Sequence, residues 1–164
     1  MCALSASAQT DWKPECTDVA ATPGDDKKTS REVCTFGELK SVRTATANEK
    51  GHFHYTYELF RRHADGSYLA IRVTDLLQSN QDRLLENINR KIGLDYIELL
   101  EDPLTAKCIL KPEAPQFTFD GLGFFFDEFG YHFRAHFDVQ QDCEPVDAST
   151  VSFTPDKMKR YLKR

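Results

Sequence analysis

The histidines carry the most pointed chemistry in the chain. His52 and His54 stand two apart, and His132 and His136 stand four apart, each pair in a stretch of alternating residue types. On an extended strand either spacing puts both side chains on one face. If the two strands were neighbours, His52, His54, His132 and His136 could converge on Zn2+ or Cu2+, since neutral imidazole suits both ions. The plainer alternative is that alternation alone has set them on the wet face of a sheet. Carboxylates offer acid–base chemistry through Asp120, Asp127, Glu128 or Asp138. Turn formation already accounts for Asp120 and Glu128. A third group is aromatic and basic. Phe125, Phe129, Tyr131 and Arg134 could form a ligand-binding surface, because aromatic side chains anchor protein and carbohydrate interfaces. The competing reading buries Phe125 in a strand covered on both faces, with the helix that precedes it as one cover. No Gly-x-Ser-x-Gly, His-Glu-x-x-His, P-loop or dinucleotide-binding glycine motif occurs, so no catalytic residue is assigned and no cofactor is expected.

These side chains need a framework. Phe53, Tyr55, Tyr57 and Leu59 alternate with His54, Thr56 and Glu58, the signature of a half-buried strand. Ala64-Asp65-Gly66-Ser67 reads as a turn and Tyr68–Val73 as the returning strand. Asn80 can cap a helix starting at Gln81, with Leu84, Leu85, Ile88 and Ile92 as its apolar stripe and Gly93 just past its end. A shorter helical piece, Asp95–Leu100, stops before Pro103. The stretch 117–139 holds eight of the twelve phenylalanines and reads as a hairpin, turning at Glu128-Phe129-Gly130. A strand over Thr150–Phe153 leads to Thr154 and Pro155, cap and first residue of a last helix that buries Met158, Tyr161 and Leu162. The order of elements predicts an α+β fold, an antiparallel sheet of hairpins packed against one central and one C-terminal helix.

Composition sets limits. The 164 residues suit a single domain, expected over 32–164, and a net charge of -5 argues against a dedicated nucleic-acid binder. No apolar run is long enough to span a membrane as a helix. Residues 9–31 are polar and read as a loosely ordered N-terminal arm, with order starting near Glu32. Ala6-Ser7-Ala8 has the small-x-small form of a signal-peptidase site, so residues 1–8 read as a signal-peptide remnant. Removing Cys2 with that segment leaves Cys16, Cys34, Cys108 and Cys143, an even number suited to an oxidising compartment. Chain proximity favours the pairs Cys16–Cys34 and Cys108–Cys143 among the three possible connectivities. No two cysteines have zinc-knuckle spacing.

A family likeness rests on the order of several short motifs. Val73-Thr74-Asp75-Leu76-Leu77 precedes the amphipathic helix. Phe119-x-Gly-Leu-x-Phe-Phe-Phe then leads to Tyr131, and Val151-x-Phe-Thr-Pro leads to Tyr161-Leu162. Over residues 51–164 this resembles the extracytoplasmic domain of unknown function shared by the anti-sigma factor RsiV and the peptidoglycan deacetylase PdaC. The resemblance implies export to the periplasm, the cell surface or the medium. It implies sensing or binding rather than turnover, and a partner such as a cell-wall hydrolase, lysozyme above all, or a peptidoglycan or other glycan ligand.

Overall fold

The computed structural model describes residues 11–19, 29–140, 143 and 147–164. Residues 1–8, Cys2 among them, lie outside those residues. The fold is α+β, but the strands form two antiparallel sheets rather than one. The first is a meander of β1 (Glu15–Val19), β2 (Thr29–Phe36), β3 (Leu39–Ala47), β4 (Phe53–Arg62) and β5 (Tyr68–Ala70), in chain order across the sheet. The second is β6 (Gly123–Asp127), β7 (Gly130–His136) and β8 (Ala148–Phe153), also in chain order. Between them runs α1 (Gln81–Glu101), followed by the single turns α2 (Pro103–Ala106) and, after β8, α3 (Pro155–Met158). No helix among the described residues is long and apolar enough to cross a membrane.

Three expectations are corrected. Order begins well before Glu32, because Trp12 plugs the core and β1 pairs with β2 along its whole length. The Trp12 ring lies 4.4 Å from that of Phe36 and 4.7 Å from that of Tyr131, and its indole N–H donates to the Asp127 carbonyl at 2.9 Å. The central helix does not stop at Gly93. Its buried stripe of Leu84, Ile88 and Ile92 continues to Tyr96, so the two expected helical pieces are one helix of 21 residues. Interior glycine costs a helix about 1 kcal/mol, and the tertiary contacts of that continuous stripe outweigh it. Asn80 stands at the N-cap position but does not cap with its side chain, which donates instead to the Arg160 carbonyl at 3.0 Å.

The C-terminal helix is shorter than its periodicity suggests, a single turn with Pro155 at its start. Met158 and Tyr161 are nevertheless buried, and an isolated bridge ties Leu162 to Leu77. The core is one continuous cluster. Leu84, Ile88 and Ile92 of α1 join Phe126, Phe133 and Val151 of the small sheet and Met158 of the last turn. Both expected disulfides are present, Cys16–Cys34 across β1 and β2 and Cys108–Cys143 beside the Ile109–Val139 bridge. Such bonds persist in an oxidising environment.

The turn between β6 and β7 sets the position of everything that follows. Asp127 pairs with Gly130, and the Asp127 carboxylate accepts the Phe129 N–H at 2.8 Å. Gly130 has φ 136, and a Cβ there would lie 2.3 Å from the Phe153 carbonyl oxygen. Only glycine satisfies both conditions.

Candidate functional site

The two sheets meet where β6 lies against β3 and β4. One residue makes the approach possible. Gly123 is buried, and a Cβ built on it would stand 2.4 Å from the Tyr57 ring, so the ring of β4 occupies the space a side chain would need. Gly123 pairs with Arg134, and Phe125 pairs with His132. Directly opposed residues of an antiparallel pair share a face, so Phe125, His132 and Arg134 all look toward the first sheet, as does His136 two residues on.

On the β4 side Phe53, Tyr55 and Tyr57 form an aromatic stripe that runs from exposed to half-buried. The stripe continues into Phe125, which stacks on Tyr57 at 5.9 Å and on His132 at 4.7 Å. Phe125 is therefore buried, and its cover is the first sheet rather than the helix. The Arg43 guanidinium lies 4.5 Å over the same ring and pairs with Glu32 at 3.0 Å. Arg134 lies over Tyr55 at 4.9 Å. His136 stacks near Tyr55, and its Nε2 is 3.0 Å from the Tyr57 hydroxyl.

Electrostatics keep both partners of that last hydrogen bond neutral. Burial pushes the Tyr57 phenol up to about 12, against the smaller opposing pull of Arg134 and Arg43. The His136 pKa is held below its ordinary value, first by loss of water and then by the Arg134 charge, with a smaller contribution from His54; Asp147 pulls the other way. Tyr57 thus keeps its proton beside a neutral His136, and it donates to the ring in the tautomer whose Nε2 is bare. The stability consequence follows from linkage. A histidine with a depressed folded pKa contributes stability that is present above its unfolded value, about 6.5, and is lost as pH falls through the folded value. The melting temperature should fall through that window in the native protein. In His136→Gln the fall should be shallower, and parallel melting curves from pH 8 to pH 5 check this.

A second array adjoins the stripe. His132 is buried, with Nε2 2.8 Å from Asp127 Oδ1 and Nδ1 2.8 Å from the Ser152 hydroxyl. A carboxylate oxygen accepts, so the tautomer with its proton on Nε2 donates to Asp127 and turns the Nδ1 lone pair to the Ser152 O–H. Ser152 is exposed, and it is the cross-strand partner of His132. Serine, imidazole and carboxylate in this order can pass a proton from the hydroxyl to the ring, with the carboxylate holding the ring in place.

The expected site residues fall in different places. Arg134 lies over Tyr55 at the seam between the two sheets, and Phe125 is buried in that seam. Tyr131 points the other way into the core, wedged between Trp12 and Phe124, where burial raises its phenol to about 12. Phe129 stands exposed on the turn after Asp127. The four histidines do not assemble. His54 belongs to β4 of the first sheet, His132 is committed to Asp127 and Ser152, and the His54 charge acts on His136. Among the described residues no three His, Cys, Asp or Glu side chains are grouped to hold a metal ion. Of the expected acid–base residues, Asp127 enters the His132 array, and Asp138 lies 3.9 Å from Lys111 on the surface. Sequence reasoning missed Tyr55, Tyr57 and Ser152. The aromatic alternation of β4 was a signal for the two tyrosines, but nothing local marks Ser152. Compared with known proteins, the chain matches no protein-family profile, no curated protein and no solved structure.

Proposed function

We propose that the protein is an extracytoplasmic binding module, working in the periplasm, at the cell surface or in the medium, whose ligand seats in the cleft between the two sheets. The observation that carries this reading is the convergence of Tyr55 and Tyr57 from one sheet with Arg134 and His136 from the other. Half-buried rings with polar edges and a stacked guanidinium are the groups that hold sugars and peptide side chains. Two disulfides support the oxidising compartment. The motif order resembling the RsiV and PdaC domain supports a cell-wall hydrolase or a glycan as the ligand class.

A second reading rests on the Asp127–His132–Ser152 array, which would make the protein a serine hydrolase. One set of measurements separates the two. Titration with lysozyme and with peptidoglycan fragments should give saturable binding that Tyr55→Ala weakens roughly tenfold, in keeping with an aromatic anchor worth 1–2 kcal/mol. Absence of binding to both ligands overturns the first reading. A fluorophosphonate probe that labels the native protein but not Ser152→Ala would establish the second, and an unlabelled native protein removes it.

A further inference from the structure

We propose that the cleft recognises a carboxylate, with the Arg134 guanidinium as its charge partner and the Tyr55 and Tyr57 rings packing the moiety that bears it. This rests on the reading of the cleft as the ligand site and names the chemistry of the ligand.

The argument starts from two arginines on the same face with different fates. Arg43 is stacked on Phe125 and neutralised by Glu32 at 3.0 Å. Arg134 is stacked on Tyr55 and half-buried, yet no carboxylate among the described residues is in ion-pair contact with it. Its Nε is sealed from solvent without an acceptor among those residues. An unmade bond at a buried donor is costly, and a guanidinium held in place by packing is the prepared half of an ion pair. A ligand from solvent cannot reach the sealed Nε, but the two Nη groups are not sealed, and together they can hold a carboxylate through two parallel hydrogen bonds. Its neighbours do not supply that acceptor. Tyr57 and His136 lie 3.0 Å from each other, and the Asp147 charge acts on both without forming an ion pair with Arg134.

The charge count selects the kind of anion. With Arg43 paired to Glu32, Arg134 is the cation left without an ion pair at this ring stack among the described residues, and the nearby Asp147 charge disfavours a ligand with two negative charges. A singly charged carboxylate fits that balance better than a phosphate dianion. The open end of the aromatic stripe, where Phe53 is 49% exposed, leaves room for the body of the ligand to extend away from Arg134.

A carboxylate can come from an acidic sugar or from a peptide C terminus. Four probes distinguish them: methyl galactopyranosiduronate, its methyl ester, N-acetyl-trialanine and the C-terminal amide of that peptide. Binding is followed by amide and ring chemical shifts of Tyr55, Tyr57 and His136 in the full chain. Within at least one pair the acid should bind ten times or more tighter than its neutral partner. Arg134→Gln should bring the acid down to the neutral level with its melting temperature held, and Arg134→Lys should restore part of the difference. Equal affinity of acid and neutral partner at a cleft that does bind overturns carboxylate recognition and leaves the binding site standing. No shift with any of the four also overturns it, while the hydrolase and peptidoglycan titrations decide the binding reading separately.

Discussion

Phe126→Ala should lower the stability of the folded chain by about 3–5 kcal/mol, the range for removing a fully buried aromatic ring. Phe126 has no exposed surface and sits where the two sheets are joined. Its ring meets Trp12 at 6.0 Å and Tyr131 at 6.3 Å, and its backbone N–H and C=O both lie 3.5 Å from the Ser41 hydroxyl of β3. Alanine would open a void lined by Trp12 of the N-terminal segment and Tyr131 of β7, which are held from different parts of the chain. They cannot both close on it together, which places the cost at the upper end of the range. Small domains are stable by about 5–15 kcal/mol in total, so the variant should approach the limit of folding at 37 °C. Phe129→Ala is the matched control. That ring is 73% exposed, and its loss should change stability by no more than about 0.5 kcal/mol. Urea titrations followed by far-UV circular dichroism compare the two, and equal midpoints would mean that the core does not close around Phe126.

Removing the Cys108–Cys143 bond by the double change Cys108→Ser and Cys143→Ser should cost about 3–4 kcal/mol, on the loop-closure entropy of the chain it encloses. The bond spans a sequence separation of 35 and encloses β6 and β7, the strands that carry Arg134 and the His132 array. The Cys16–Cys34 bond spans 18 and should be worth slightly less, about 3 kcal/mol on the same reasoning. Cys108 is also 95% out of solvent, its carbonyl accepts the Gln140 N–H at 2.9 Å, and Ile109 pairs with Val139 beside it. A buried serine in its place adds an unmet hydroxyl to the lost cross-link. The check is the denaturation midpoint of the double variant against the native protein, with thiol counting by mass spectrometry before reduction. Free thiols at all of Cys16, Cys34, Cys108 and Cys143 would contradict both bonds.

Where pattern sufficed, the sequence could be read directly. The aromatic alternation of β4 and β7, the stripe of α1 and the turn at Glu128-Phe129 are local signals, and each appears at the expected residues. The strands β1 to β3 give no such signal. Glu15–Val19 is polar and exposed throughout, and Thr29–Phe36 carries Thr, Ser, Arg and Glu. They hold because neighbours pair with them, because Cys16 is bound to Cys34, and because Trp12 fills the space beside Phe36. None of these is visible from propensity. The cleft was hidden for a related reason. Tyr57 meets His136 only when one sheet docks on the other, and Ser152 meets His132 only when β8 adds to β7. Both are long-range facts, and periodicity carries no information about them.

The order in which such contacts can form has its own consequence. Every strand in either sheet pairs with the strand before or after it in the chain, so each sheet can zip up hairpin by hairpin with short loop closures. The cleft is different, since its hydrogen bond joins residues 79 apart and needs Gly123 seated under Tyr57. It can form only once the two sheets dock, as can the Trp12 contact with Asp127, whose partners are 115 apart. A chain with both sheets formed but undocked would have its full strand content yet would keep Tyr57 apart from His136 and Phe125. If the proposed ligand seats on those side chains, binding would report on completed docking, and strand content alone would not.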